Sequence, residues 1–275
     1  MKLKKILAAV LLTVILCLNL TSCSEFANTF ITELNKQMNG DGLLGQGNDK
    51  NVEAIVNEIT EKKIHAVVTV VATFSNNKYP YPSTFTTQSS GVIISYDGRT
   101  LVLTNNHSVS YDSNAYSLSK ITLIDYVGDE YQAYIYNGLG KLSTAPEYDL
   151  ACLYAPSIES KLDALTLAKK NPKINDKVIA LSTPSGQPNA ISFGKVLTYA
   201  KTNVVDTDES VSNVTEDVIW HSAKIKQGSS GGALVNYDLE LVGINFAGSE
   251  NANNSFTEGG AIPIEMVLDF LQKYT

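Results

Sequence analysis

Short runs of β-forming residues follow one another at close spacing through most of this chain. They are His65 to Phe74, Gly91 to Ser95, Leu101 to Thr104, Ile121 to Tyr126, Tyr131 to Tyr136, Leu150 to Tyr154, Lys177 to Ser182, Ile191 to Tyr199, Val218 to Ser222, Ala233 to Val235 and Leu241 to Phe246. Gly, Asn, Asp and Pro punctuate them, as in Tyr96-Asp97-Gly98 and Val127-Gly128-Asp129. This is the pattern of an all-β sandwich or barrel, not of alternating strands and helices. Between Ser157 and Ile174 the pattern lapses into charged, extended sequence, which reads as a crossing from one half to the other. Two helices flank the β region. Val52, Ile55, Val56 and Ile59 recur at helical spacing behind Asn51 as N-cap, and Val267, Leu268 and Leu271 follow Pro263 at the C-terminal end.

The first residues carry a targeting signal. Lys2, Lys4 and Lys5 precede an apolar run from Ile6 to Leu20, and Leu20-Thr21-Ser22-Cys23 places small residues before a cysteine. That tetrapeptide resembles the bacterial lipobox, which implies cleavage after residue 22 and acylation of Cys23. Two acyl chains suffice for stable anchoring. Residues 23–50 then read as a lipidated spacer. The 27 residues from Ser24 to Lys50 can reach about 90 Å when extended, and Phe26, Phe30, Ile31, Leu34 and Met38 fall near the spacing of a short amphipathic helix.

Removing the three signal lysines from 21 Lys and Arg leaves 18 against 28 Asp and Glu, a net charge of −10. Nucleic acid is an unsuitable partner for such a chain. Of the three cysteines, Cys17 lies in the signal and Cys23 is the lipid site, so Cys152 has no internal disulfide partner. Stability must come from core burial, for which residues 51–275 are long enough. No metal or cofactor motif is present.

Ser230 stands in Gly228-Ser229-Ser230-Gly231-Gly232, which runs directly into the apolar strand at Ala233. Flanking glycines permit a turn that exposes a serine hydroxyl while backbone N–H groups converge nearby. A serine needs a base, and the base works best when a carboxylate fixes its tautomer. Of the three histidines, His65 starts a strand and His221 lies within one. His107 instead opens a polar turn after Leu101-Val102-Leu103-Thr104. Asp149 stands at the mouth of the apolar strand Leu150-Ala151-Cys152-Leu153. The order His107, Asp149, Ser230 suits two successive barrels, the first supplying two members and the second the nucleophile.

On these residues the chain resembles the trypsin-like serine peptidases, and among them the bacterial HtrA/Deg proteases, over roughly residues 64–266. The matching stretches are Ser90-Gly91-Val92-Ile93-Ile94 with Leu103-Thr104-Asn105-Asn106-His107, then Asp149-Leu150-Ala151 and Gly228-Ser229-Ser230-Gly231-Gly232. Val242-Gly243-Ile244-Asn245 and Gly260-Ala261-Ile262-Pro263 complete them. The resemblance implies a chymotrypsin-like fold of two packed six-stranded antiparallel β-barrels, about 64–158 and 175–263, with a short N-terminal helix and a C-terminal helix at 264–274. It implies hydrolysis of peptide bonds through an acyl-enzyme. Ser230 would attack, His107 act as base, Asp149 orient His107, and the N–H groups of Gly228 and Ser230 hold the oxyanion.

It also implies a substrate pocket involving Lys224, Ile225, Asn245 and Phe246. Lys224 sits six residues before Ser230, where such folds place the pocket floor and HtrA proteases usually carry a small residue. It either favours an acidic substrate residue or folds away to solvent. Gln227 and Ser229 replace the Pro and Asn common in the HtrA serine motif. The chain stops about 45 residues after Ser230, so no PDZ-like module is expected. A homotrimer is compatible with the resemblance. The expected partners are protein or peptide substrates and, through Cys23, a membrane outside the cytoplasm. The alternative is a peptidase-fold lipoprotein that binds peptides or a surface partner without turnover.

Overall fold

A computed structural model describes residues 50–76, 80, 82–111, 115–158, 163–184, 190–202, 214–250 and 256–275. The signal segment, Cys23 and the spacer lie outside the described residues. Helix α1 covers Lys50–Glu61, so Asn51 falls within the helix instead of capping it. Ile55, Val56 and Ile59 form its buried face, and the Thr60 hydroxyl bonds the carbonyls of Val56 and Asn57 one turn back.

The unit that begins at Glu61 contains thirteen described strands. A 3-10 turn at Lys63–Ala66 precedes them. His65 lies in this turn and not in a strand, its ring stacked on Tyr126 with centroids 3.8 Å apart.

The first barrel is built from β1 (Val67–Asn76), β2 (Ser83–Tyr96), β3 (Arg99–Thr104), β4 (Ser117–Ile124), β5 (Glu130–Ile135) and β7 (Leu150–Tyr154), with a two-residue β6 (Thr144–Ala145) beside β7. Its strand order is β3-β2-β1-β4-β5-β7, and the pairing of Leu103 with Cys152 closes the ring. Val68, Val70, Ile93, Leu123 and Leu153 are buried on one face of these strands, and Val92, Ile94, Leu101 and Leu103 on the other, so both faces of the sheet are covered. β4 stops at Ile124, before the expected Tyr126. The Asp125 carboxylate accepts the N–H groups of Val127 and Asp129 at 3.0 and 2.9 Å and turns the chain there.

The second barrel is closed in the order β10-β13-β12-β11-β8-β9. Its strands are β8 (Lys177–Ser182), β9 (Ala190–Lys201), β10 (Asp217–His221), β11 (Ala233–Asn236), β12 (Leu241–Glu250) and β13 (Phe256–Pro263). All pairings in both barrels are antiparallel, so the two six-stranded barrels form a chymotrypsin-like fold.

The charged crossing between them is a strap. Leu165 bridges Ile94 of the first barrel and Leu167 bridges Leu241 of the second, both in parallel sense. Helix α2 (Ile264–Tyr274) follows β13 with Pro263 as its N-cap residue, and buries Ile264, Val267, Phe270 and Leu271. Tyr148 meets this helix, its ring 6.1 Å from Phe270 and its hydroxyl bonded to Asp269. The loop that carries Asp149 is therefore tied to the far end of the chain.

Candidate active site

His107 sits in a 3-10 turn, Asn106–Ser108, at the end of β3. Asp149 immediately precedes β7, the strand paired with β3, and that pairing brings the two side chains together. Asp149 holds His107 at two points: Oδ2 lies 2.8 Å from Nδ1, and Oδ1 accepts the His107 backbone N–H at 3.0 Å. A carboxylate accepts at this contact, so Nδ1 is the donor and carries the ring proton.

Asp149 is fully buried and has φ +49, the left-handed region, which costs a non-glycine residue roughly 1 kcal/mol. The conformation is held on both sides. The Asn105 amide donates to the Asp149 carbonyl at 2.9 Å, and the Asp149 N–H donates to the Pro146 carbonyl at 3.1 Å. These bonds hold the strained backbone so that the carboxylate faces His107 at the mouth of β7.

Ser230 lies in the tight turn between β10 and β11. Gly231 has φ +82, and a Cβ there would lie 2.0 Å from the Ser90 carbonyl, so only glycine fits. The peptide groups on either side of Ser230 are anchored. Ser90 donates its N–H to the Ser230 carbonyl at 2.7 Å, Gly231 donates to Asn245 at 2.8 Å, and Gly232 donates to Ser229 at 3.0 Å. Among the described residues, the N–H groups of Gly228 and Ser230 have no protein acceptor. The Ser230 hydroxyl donates to the Phe246 carbonyl at 3.2 Å.

Lys224 is exposed, with its backbone N–H bonded to the Ser192 hydroxyl at 2.7 Å. Its neighbour Ile225 is the residue that turns inward: it is buried, and its side chain lies 3.6 Å from the Cβ position of Gly248 and 3.1 Å from that of Gly259. Ile225 thus lies over the face of the paired β12 and β13 at Gly248 and Gly259, which are directly opposite in the ladder. Asn245 and Phe246 are buried on β12. Asn245 also accepts from or donates to its surroundings at several points: Oδ1 lies 3.2 Å from His221 Nε2, and Nδ2 donates to the Ala233 carbonyl at 3.1 Å.

His221 is fully buried. Burial pushes its pKa down to about 4, against weaker upward pulls from Asn245 and the Ala223 backbone. It is neutral at physiological pH and belongs to the support of the serine turn. Sequence reading gave no sign of this role, because the Asn245 contact joins residues on separate strands. No group of His, Cys, Asp and Glu among the described residues is arranged to hold a metal.

Two antiparallel barrels, with a carboxylate-held histidine on one and a serine turn on the other, define a peptidase architecture of the chymotrypsin class. The match extends to sequence: residues 89–244 fit the trypsin-like peptidase domain, and the chain belongs to that family. It is 33% identical over 184 residues to the periplasmic serine endoprotease DegP of Salmonella typhimurium, covering 66% of this chain and 34% of DegP. It is 28% identical over 224 residues to the mouse (Mus musculus) serine protease HTRA4, covering 81% of this chain and 41% of that protein. Among solved structures, the HtrA-type protease AlgW with a decapeptide superposes with a TM-score of 0.58 at 25% identity, over 80% of this chain and 66% of AlgW. The chain spans less than half the length of these two curated relatives.

Proposed function

We propose that the protein is a serine endopeptidase of the HtrA-like kind that hydrolyses peptide bonds in protein substrates. The observation that carries this reading is the two-point hold of Asp149 on His107, which commits Nε2 to proton transfer. In the proposed cycle the Ser230 hydroxyl rotates from the Phe246 carbonyl toward Nε2, gives up its proton and attacks the substrate carbonyl. The N–H groups of Gly228 and Ser230 receive the oxyanion. His107, now protonated beside the Asp149 carboxylate, passes the proton to the leaving amine, and an acyl-enzyme forms on Ser230. Water, deprotonated by His107, releases it.

Small apolar side chains are favoured before the scissile bond, because Ile225 covers the surface above Gly248 and Gly259 while Lys224 is exposed. Matched peptides differing only in Val or Glu at that residue test this; faster cleavage after Glu overturns it. The lipobox-like Leu20-Thr21-Ser22-Cys23 and the periplasmic location in the name of DegP support an extracytoplasmic, lipid-anchored enzyme. A lipid mass on the N-terminal fragment, lost in Cys23→Ala, is the expected result.

One observation favours a second reading, a peptide-binding protein without turnover: the Ser230 hydroxyl is engaged by Phe246. Casein digestion and fluorophosphonate labelling separate the two. Digestion and labelling by wild type, both abolished in Ser230→Ala, support the peptidase; folded wild type that neither digests nor labels is a binder.

A further inference from the structure

We infer that Ser90, in the first barrel, is a positioning residue that sets the oxyanion-binding turn of the second through its side-chain hydroxyl; the inference rests on the peptidase reading above. Ser90 is fully buried. Its Oγ donates to the Gly228 carbonyl at 2.8 Å and accepts the Thr183 N–H at 2.9 Å, with the Thr183 hydroxyl 3.2 Å away. A hydroxyl has one proton to give, and here that proton goes to Gly228.

The consequence follows from which atoms share a peptide plane. The Gly228 carbonyl and the Ser229 N–H belong to one peptide group. Ser90 Oγ holds its oxygen, and the Lys226 carbonyl accepts its N–H at 2.9 Å. The Ser230 carbonyl and the Gly231 N–H form another, held by the Ser90 N–H and the Asn245 carbonyl at 2.7 and 2.8 Å. Ser90 therefore grips the turn on both sides of the Ser230 N–H, once through its backbone and once through its side chain. Gly228 has φ +88, and as glycine it has no Cβ to restrict rotation. Without the hydroxyl, the Gly228–Ser229 peptide loses the bond that fixes its carbonyl, and the Gly228 N–H loses its aim at the oxyanion position.

A second pair of buried hydroxyls supports the same turn from elsewhere. Ser182 Oγ lies 3.0 Å from Ser229 Oγ, which also accepts the Lys226 N–H at 3.1 Å. Ser182 does not touch the Gly228 carbonyl, which makes Ser182→Ala the control for loss of a buried hydroxyl as such.

The test compares wild type, Ser90→Ala, Ser90→Cys and Ser182→Ala, with turnover expressed per site titrated by a fluorophosphonate, so that misfolded molecules do not count. Ser90→Ala should lower kcat by about 10- to 100-fold, less than the 10²–10³ of deleting an oxyanion donor outright, with KM unchanged. A peptide boronic acid, whose tetrahedral adduct needs the same donors, should bind more weakly by the same factor. Ser90→Cys, a weaker donor of similar size, should fall between, and Ser182→Ala, which removes a buried hydroxyl beside the turn but leaves the Gly228 carbonyl bonded to Ser90, should lower kcat less than Ser90→Ala does. Amide hydrogen exchange over residues 226–231 should accelerate in Ser90→Ala while the rest of the second barrel is unchanged. Wild-type kcat per site in Ser90→Ala and Ser90→Cys, a KM effect with unchanged boronate affinity, or unaltered exchange in residues 226–231 overturns the inference. Inactive wild type combined with accelerated exchange in Ser90→Ala fails the peptidase reading alone and leaves the structural role of Ser90 standing.

Discussion

The two barrels meet at the candidate site with unlike chemistry. The first presents a charged acceptor: a fully buried carboxylate, strained at φ +49, that grips His107 through both oxygens. The second presents a turn held by neutral groups, namely serine hydroxyls, an asparagine, backbone carbonyls and a histidine kept uncharged by burial. A charge is useful where a proton must be drawn and an imidazolium steadied. Neutral hydrogen bonds are useful where N–H groups must be aimed without a nearby charge competing for the oxyanion.

The largest expected effects remove the chemistry from either side. Ser230→Ala and His107→Ala should each lower turnover on the order of 10⁶-fold, and Asp149→Asn about 10⁴-fold through loss of the correct tautomer. Single-turnover assays with a peptide substrate measure this. Comparable loss from Asp149→Asn and from Ser230→Ala would mean that the carboxylate does more than orient.

Next comes the geometry of the neutral turn. Gly231→Ala puts a Cβ 2.0 Å from the Ser90 carbonyl at φ +82, so it should cost roughly 3 kcal/mol or more. Denaturant unfolding reads it, and a variant of wild-type stability would show that the turn moves freely.

Acid should find the weak point of the second barrel. The folded pKa of His221 is about 4, below the usual 6.5 of an unfolded chain. The unfolded chain thus binds the proton first as pH falls. His221 contributes stability above pH 6.5 that is lost progressively down to pH 4, a change of about 3 kcal/mol. His221→Asn should flatten the stability profile between pH 6.5 and 4; an unchanged slope would assign the acid sensitivity elsewhere.

The smallest effect concerns the pocket. Ile225→Ala should open the space against Gly248 and Gly259, raising kcat/KM for a Leu substrate relative to Val by about 10-fold. Competition between paired peptides measures the ratio.

Sequence and structure agree most closely where pattern is local. The strands Leu150 to Tyr154 and Lys177 to Ser182 are found at the expected bounds, because apolar residues and turn formers mark both ends. β2 is the contrary case: it begins at Ser83, eight residues before the expected Gly91. Its first half, Ser83 to Ser89, is polar except for Phe85 and mostly exposed, so no apolar run marks it. β13 is similarly veiled by Gly259 and Gly260, residues that weaken a strand in isolation. The space above them is filled by other chains of contact: a Cβ at Gly259 would lie 2.5 Å from His221, and one at Gly260 would lie 2.9 Å from Phe246. Asn51, read as an N-cap, is inside α1 because the helix starts at Lys50, two residues before the Val52 start that such a cap implies.

The sequence by itself determined the all-β class, the order His107, Asp149, Ser230 and the glycines that the serine turn requires, since these depend on residue type and near-neighbour spacing. Only the tertiary structure decided that Asp149 holds His107 by two oxygens, that Ile225 and not Lys224 turns inward, and that Ser90 reaches across to Gly228. Those contacts join residues distant in the chain, and their directions are set by barrel closure and strand register, which no local pattern encodes.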